Sequence, residues 1–156
     1  MVKTERAWTG ISQASSVLEQ HRELHVILDE IEACLGRSHD VPAGKWLATL
    51  DSCLSRLLPQ LEAHFDLEER GAIFEEIEEA LPASAAACAE LWGQHQQLLS
   101  TVADLRESVE LVSPVAPAID DLGARCRGLV EQLGSHEERE NELLCRAVGD
   151  EMGAQD

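Results

Sequence analysis

The chain has no tyrosine, and its whole aromatic complement is three Trp and two Phe. Strands draw on aromatic and β-branched residues, which are few here, whereas the abundant Leu, Ala and Glu are strong helix formers. The composition therefore predicts an all-helical protein. Positive charge is scarce too, with 12 Lys and Arg against 30 Asp and Glu and a formal net charge of -18. The resulting negative field repels phosphate backbones and the anionic leaflet of a bilayer, which argues against nucleic acid and membrane surfaces as partners. There is no run of eighteen apolar residues, and the start MVKTERAWTG lacks the basic-then-apolar layout of a secretory signal. A cytoplasmic location is the expectation. Paired Cys-x-x-Cys units are missing as well: Cys34, Cys53, Cys88, Cys126 and Cys145 are odd in number and widely spaced, and they read as reduced core residues.

What is present is helical periodicity cut at three places. Breaks fall at Gly36 to Pro42, at Leu81-Pro82 and at Ser113 to Pro117, because glycine stops helices and proline bars the residue before it from continuing one. Four segments result. The first is expected to begin near Ser16, where Ser-Val-Leu-Glu matches a capping box, and to end at Gly36. The others are expected from about Ala43 to Ala80, Ala83 to Val112 and Pro117 to Val148. Pro59 falls inside the second segment and reads as a kink one turn before His64. Residues 1–15, with Trp8, are expected as an arm over a bundle formed by 16–148, and 149–156 as a tail. Apolar residues recur at three and four, as in Leu24, Ile27, Leu28 and Ile31, or Leu50, Leu54, Leu57 and Leu61. A single domain of 156 residues can bury a core of this kind without disulfides.

The chain also repeats itself. A shift of 74 residues places Gln94, His95 and Leu98 on Gln20, His21 and Leu24. A shift of 72 places Leu129, Gln132, Leu133, His136 and Glu140 on Leu57, Gln60, Leu61, His64 and Glu68. The predicted fold is an all-α, antiparallel up-down-up-down four-helix bundle whose two helical hairpins are related by a pseudo-twofold axis.

The repeated polar residues are His21, His64, Glu68, His95, His136 and Glu140. In His-x-x-x-Glu the two side chains leave one helix face, since four residues turn about 400°, and here that face is the apolar one. Two ionised carboxylates in an apolar core are costly unless cations neutralise them. Imidazole and carboxylate together suit Fe, Zn or Mn, and bundle cores build paired sites from facing helices. Glu69, Glu137 and Glu138 are expected on the solvated surface, with Glu69 also placed to accept a hydrogen bond from a ligating imidazole. His39 is expected in solvent, and Glu75 to Glu79 as a charged helix face.

The series His21, His64-Phe65-Asp66-Leu67-Glu68-Glu69, His95 and His136-Glu137-Glu138-Arg139-Glu140 resembles the hemerythrin-like, HHE cation-binding family, over about residues 12 to 148. The resemblance implies two non-haem irons with terminal histidines and bridging carboxylates at Glu68 and Glu140. The oxygen carriers of that family have His-x-x-x-His on the third helix and an aspartate five residues after the histidine of the fourth. Here Leu99 and Asn141 stand at those positions, which weighs against reversible oxygen carriage. His25, four residues after His21, is expected to complete three histidines on one ion, leaving the other open beside Leu99 to dioxygen, peroxide or azide.

The function expected is a di-iron protein that binds dioxygen or a related small ligand in oxygen, iron or redox sensing or handling, with at most a weak oxidase or peroxide-handling activity. Zn and Mn are substitute metals. An iron-dependent protein-interaction module and a metal-free structural bundle are the alternatives. Ferritin-like oxidases use Glu-x-x-His units, and the chain contains none.

Overall fold

The computed structural model describes residues 2–153, with side chains described over 13–149. The protein is all-helical: α1 Val2–Leu35, α2 Ala43–Arg70, α3 Ile73–Ala80, α4 Ala85–Leu111 and α5 Ala116–Gly153, with a 3-10 turn at Pro82–Ser84. The three breaks read from glycine and proline all separate helices. Pro59 lies within α2 and is exposed, and the helix continues past it.

Apart from the end of α5, which runs on to Gly153 although a tail from residue 149 is expected, two boundaries differ from expectation. Helix α1 runs unbroken through Ser16, so the Ser-x-x-Glu signature there does not start it. No proline precedes Ser16, and nothing in the backbone chemistry of a capping box stops a helix already under way. The expectation for Trp8 lies outside the described side chains. The second difference is a missed break at Gly71-Ala72, which divides the segment expected to run to Ala80. Gly71 caps α2 through its N–H to the Leu67 carbonyl at 2.8 Å, and Ala72 takes the left-handed conformation with φ 56°. A Cβ at position 71 would lie 2.5 Å from the Leu67 carbonyl oxygen, so the stop requires glycine there.

Among the four long helices, α1 packs on α2 and α5, and α4 packs on α2 and α5. The interior has two apolar layers. The larger holds Leu24, Leu28, Ile31, Leu50, Leu54, Leu57, Leu61, Leu98, Leu105 and Leu129. Trp46 seals its far end, its indole N–H donating to the Cys34 carbonyl at 2.8 Å. The smaller layer holds Val17, Leu91, Leu143 and Leu144, with Ile73, Phe74 and Ile77 contributed by α3. The turn at Gly71-Ala72 is what brings α3 across this end. Each such buried side chain stabilises the fold by roughly 1.5–3 kcal/mol relative to exposure. Of the five cysteines, four are buried as expected, but Cys145 is exposed: it follows buried Leu144 by one residue, about 100° further round the helix.

Between the two apolar layers lies a polar one. His21 sits between Val17 and Leu24, and His95 between Leu91 and Leu98. His64 follows Leu61, and His136 follows Leu133.

Candidate metal centre

Six buried side chains meet in the polar layer. His21, His64, Glu68, His95, His136 and Glu140 are each at most 2% exposed. They arrive from four helices: His21 from α1, His64 and Glu68 from α2, His95 from α4, and His136 and Glu140 from α5.

Hydrogen bonds orient every ring in the same sense. The Nδ1–H of His21 donates to Asn141 Oδ1 at 2.8 Å, that of His64 to Gln20 Oε1 at 2.9 Å, that of His95 to Glu69 Oε1 at 3.1 Å, and that of His136 to Gln94 Oε1 at 2.8 Å. A neutral imidazole that donates through Nδ1 keeps a lone pair on Nε2. All four lone pairs therefore face inward, toward one another and toward the carboxylates. His21 Nε2 is 3.0 Å from His64 Nε2, and His95 Nε2 is 3.1 Å from Glu68 Oε2. His64 Nε2 stands 2.5 Å from Glu68 Oε1, while His21 and His136 each place Nε2 at 3.4 Å from Glu140 Oε2.

Acceptors face acceptors in this layer, and both oxygens of Glu68 and of Glu140, with Nε2 of His95 and His136, have no hydrogen-bond donor. Each such buried orphan costs about 1–3 kcal/mol. A cation removes the conflict. Two ligands bonded at right angles to an ion at about 2.1 Å lie about 3.0 Å apart, close to the shorter separations found here. The donor atoms form two sets within 4.8 Å of one another: His21, His64, Glu68 and Glu140, and then Glu68, His95 and His136. Glu68 belongs to both and offers a different oxygen to each, Oε1 toward His64 and Oε2 toward His95.

Without a cation, protons must do part of this work. Burial, reinforced by the neighbouring Glu140, holds Glu68 well above the usual carboxylate range. Burial acts on Glu140 in the same direction but is overcome once Glu68, His21 and His64 carry protons to donate to it, so Glu140 is held low. Burial pushes the His136 imidazole down to about 4. For His95 burial acts downward as well, yet the Glu68 and Glu69 carboxyls favour the protonated ring and leave it raised. The two carboxyls are thus driven in opposite directions, a conflict that a divalent ion between them would relieve.

The outer surroundings are aromatic on one side. Phe65 stacks on His95 with ring centroids 3.9 Å apart and an interplanar angle of 7°, and its edge meets His136. Phe74 and Trp92 also face His95. Leu99 packs against the larger apolar layer.

One residue expected in the ligand set is not brought into it. The His25 side chain is 55% exposed, with Nε2 3.0 Å from Glu137 Oε2. The inward face of α1 is defined by His21, Leu24 and Leu28, and His25 follows Leu24 by about 100° of rotation. The count of three histidines on one ion and two on the other, with the opening placed beside Leu99 on that ground, is thereby corrected. Glu137 is a second correction: expected on the acidic surface, it is 2% exposed. Glu69 is exposed at its outer edge and does accept from His95, and Glu138 is exposed. His39 is exposed beside Asp120. The supporting residues Gln20, Gln94 and Asn141 were not singled out as acceptors. Their signal was nonetheless in the repeat, since Gln20 and Gln94 are equivalent under the shift of 74, and Glu69 and Asn141 under that of 72.

No helix among the described residues is long and apolar enough to cross a membrane. No curated protein and no solved structure matches the chain. The family model for the hemerythrin HHE cation-binding domain, however, matches residues 14–148, nearly the whole length. Histidines and glutamates of four helices, gathered in one buried layer within that span, are what such a domain requires, and the chain belongs to the hemerythrin HHE cation-binding domain family.

Proposed function

We propose that the protein is a non-haem di-iron carboxylate protein in which His21, His64, His95 and His136 are terminal ligands and Glu68 and Glu140 bridge two irons. The observation that carries this reading is the common orientation of the four rings. Every Nδ1–H is engaged outward, and every Nε2 is turned toward Glu68 and Glu140. Ligating histidines are held in this way, because the outer hydrogen bond fixes both tautomer and ring direction. Two imidazole-carboxylate sets that share Glu68 suit a pair of ions better than one. Zn or Mn are substitutes with similar ligand preferences.

Iron, when bound, supplies one-electron chemistry and affinity for dioxygen or related small ligands. The chain supplies the setting. Apolar layers above and below keep bulk water from the polar layer, and Phe65, Phe74 and Trp92 shield the His95 side. The physiological task in this reading is sensing or handling of oxygen, iron or redox state in the cytoplasm. An organic substrate has no part in it.

The fold reading that accompanies this is an up-down-up-down four-helix bundle of α1, α2, α4 and α5 with a pseudo-twofold axis, and α3 as an end cap. The cyclic packing of the four helices supports it. So do the hydrogen bonds: Gln20 to His64 and Gln94 to His136 are repeat-related, as are Asn141 to His21 and Glu69 to His95.

Metal analysis of the purified protein with anaerobic optical spectra tests the reading. About two irons per chain are expected, with a spectrum that changes on exposure to dioxygen. Protein that takes up no stoichiometric metal after anaerobic reconstitution would refute it and favour a structural bundle.

A further inference from the structure

The six residues of the layer are shut off from solvent, so an ion must reach them through something. Next to them, on the outer side of α1 and α5, lies a cavity of about 510 Å³ lined by His25, Glu137, Glu138, Asn141, Glu142 and Cys145. Its wall includes Asn141, whose Oδ1 accepts the His21 Nδ1–H. One side chain therefore separates the cavity from a proposed ligand.

Glu137 is the unexpected feature of this cavity. Its side chain is 3% exposed, and neither carboxylate oxygen has a hydrogen-bond donor. Its near neighbour is the half-exposed His25 ring, with Nε2 3.0 Å from Oε2. That separation is an ordinary hydrogen-bond length and equally the spacing of two adjacent ligands of one ion, as inside the layer. Glu137 also lies within electrostatic reach of His21, His64 and Glu140. A buried carboxylate whose one close nitrogen neighbour is a half-exposed histidine, with its other oxygen unserved, is costly to hold there.

We infer that His25 and Glu137 form a third, mononuclear divalent-cation site, an entry station from which ions pass to the buried centre. The inference rests on the metal-binding reading above. Glu138 and Glu142 at the same cavity, and the net charge of -18, raise the local concentration of cations at its mouth. His25 contributes a neutral nitrogen donor that selects a borderline metal over the more abundant Mg²⁺ and Ca²⁺. Its exposure lets it meet the ion in solvent, and the buried Glu137 draws the ion inward.

The test uses the full chain, stripped of metal and reloaded with Co²⁺ in a stopped-flow spectrometer. His25→Ala changes an exposed residue and should still bind two Co²⁺ tightly with the wild-type spectrum, but filling should slow about tenfold. Titration of the filled wild type should show a third, weaker Co²⁺ that both His25→Ala and Glu137→Gln lack. An unchanged filling rate in His25→Ala, or no third ion in the wild type, would overturn the entry station while leaving the centre in place. Loss of one tightly bound Co²⁺ in His25→Ala would overturn it too, by making His25 a ligand of the centre. Failure of the wild type to take up any Co²⁺ would instead refute the metal-binding reading itself.

Discussion

Glu68 does more than any other residue to join the two halves of the polar layer, since its two oxygens face histidines from α2 and α4. Glu68→Ala and Glu140→Ala should each reduce bound metal well below the wild-type content, measured by elemental analysis. A variant that kept both ions and an unchanged spectrum would show that the residue does not bridge. The outward hydrogen bonds should matter nearly as much. Gln20→Leu and Gln94→Leu each remove the acceptor of one ring N–H, which typically costs about 10–100-fold in metal affinity. Because the two glutamines hold repeat-equivalent histidines, the two losses should be similar in a competition titration. Affinities that differed by orders of magnitude would count against the pseudo-twofold description.

At the scale of the helix, the junction of α2 and α3 is the most sensitive point. Gly71→Ala would force a Cβ to within 2.5 Å of the Leu67 carbonyl oxygen, and 2.9 Å of the Gln13 side-chain oxygen. Backbone crowding of this kind costs about 1–3 kcal/mol, and the variant should melt earlier. Ala72→Gly should act in the opposite sense, because Ala72 holds φ 56° and the left-handed conformation costs roughly 1–2 kcal/mol for a residue with a Cβ. Denaturant melts of the two variants check both signs. The stop was legible in part, since Gly71 directly follows the basic Arg70 as at many helix ends. It was obscured because Ile73, Phe74 and Ile77 continue the spacing of three and four. That periodicity reports burial, and α3 is buried against a different layer from the one that α2 covers.

Across the whole molecule, the polar layer makes stability depend on metal and pH together. In the metal-free protein the raised Glu68 contributes stability that is fully present below the ordinary carboxylate pKa and lost as pH rises through its folded value. Glu140, held low, and His136, held down to about 4, contribute in the opposite sense and lose stability as pH falls through theirs. Metal binding requires all of these groups deprotonated, so the stabilisation a bound ion adds grows from acidic to neutral pH. Chelation should therefore lower the melting temperature, and the gap between loaded and chelated protein should widen from acidic to neutral pH. Thermal melts across that window with and without chelator measure it, and a gap that narrowed with rising pH would contradict the account.

Much of this was settled by the linear chain. Amphipathic stripes, the proline and glycine breaks, and the repeated His-x-x-x-Glu units are all set by spacing within one segment, and spacing can be read without neighbours. The layer of six residues follows from them, because side chains on the apolar faces of packed helices at similar heights have nowhere else to meet. What tertiary structure alone decided were residues at the edge of each face. His25 and Glu137 each stand next to an interior residue on their helix, Leu24 and His136, about 100° away. Whether such a flanking position is covered depends on where the adjoining helix passes. On α1 it leaves His25 half in solvent, and on α5 it closes over Glu137, so the histidine expected as a ligand lies outside the centre and the glutamate expected on the surface lies beside it.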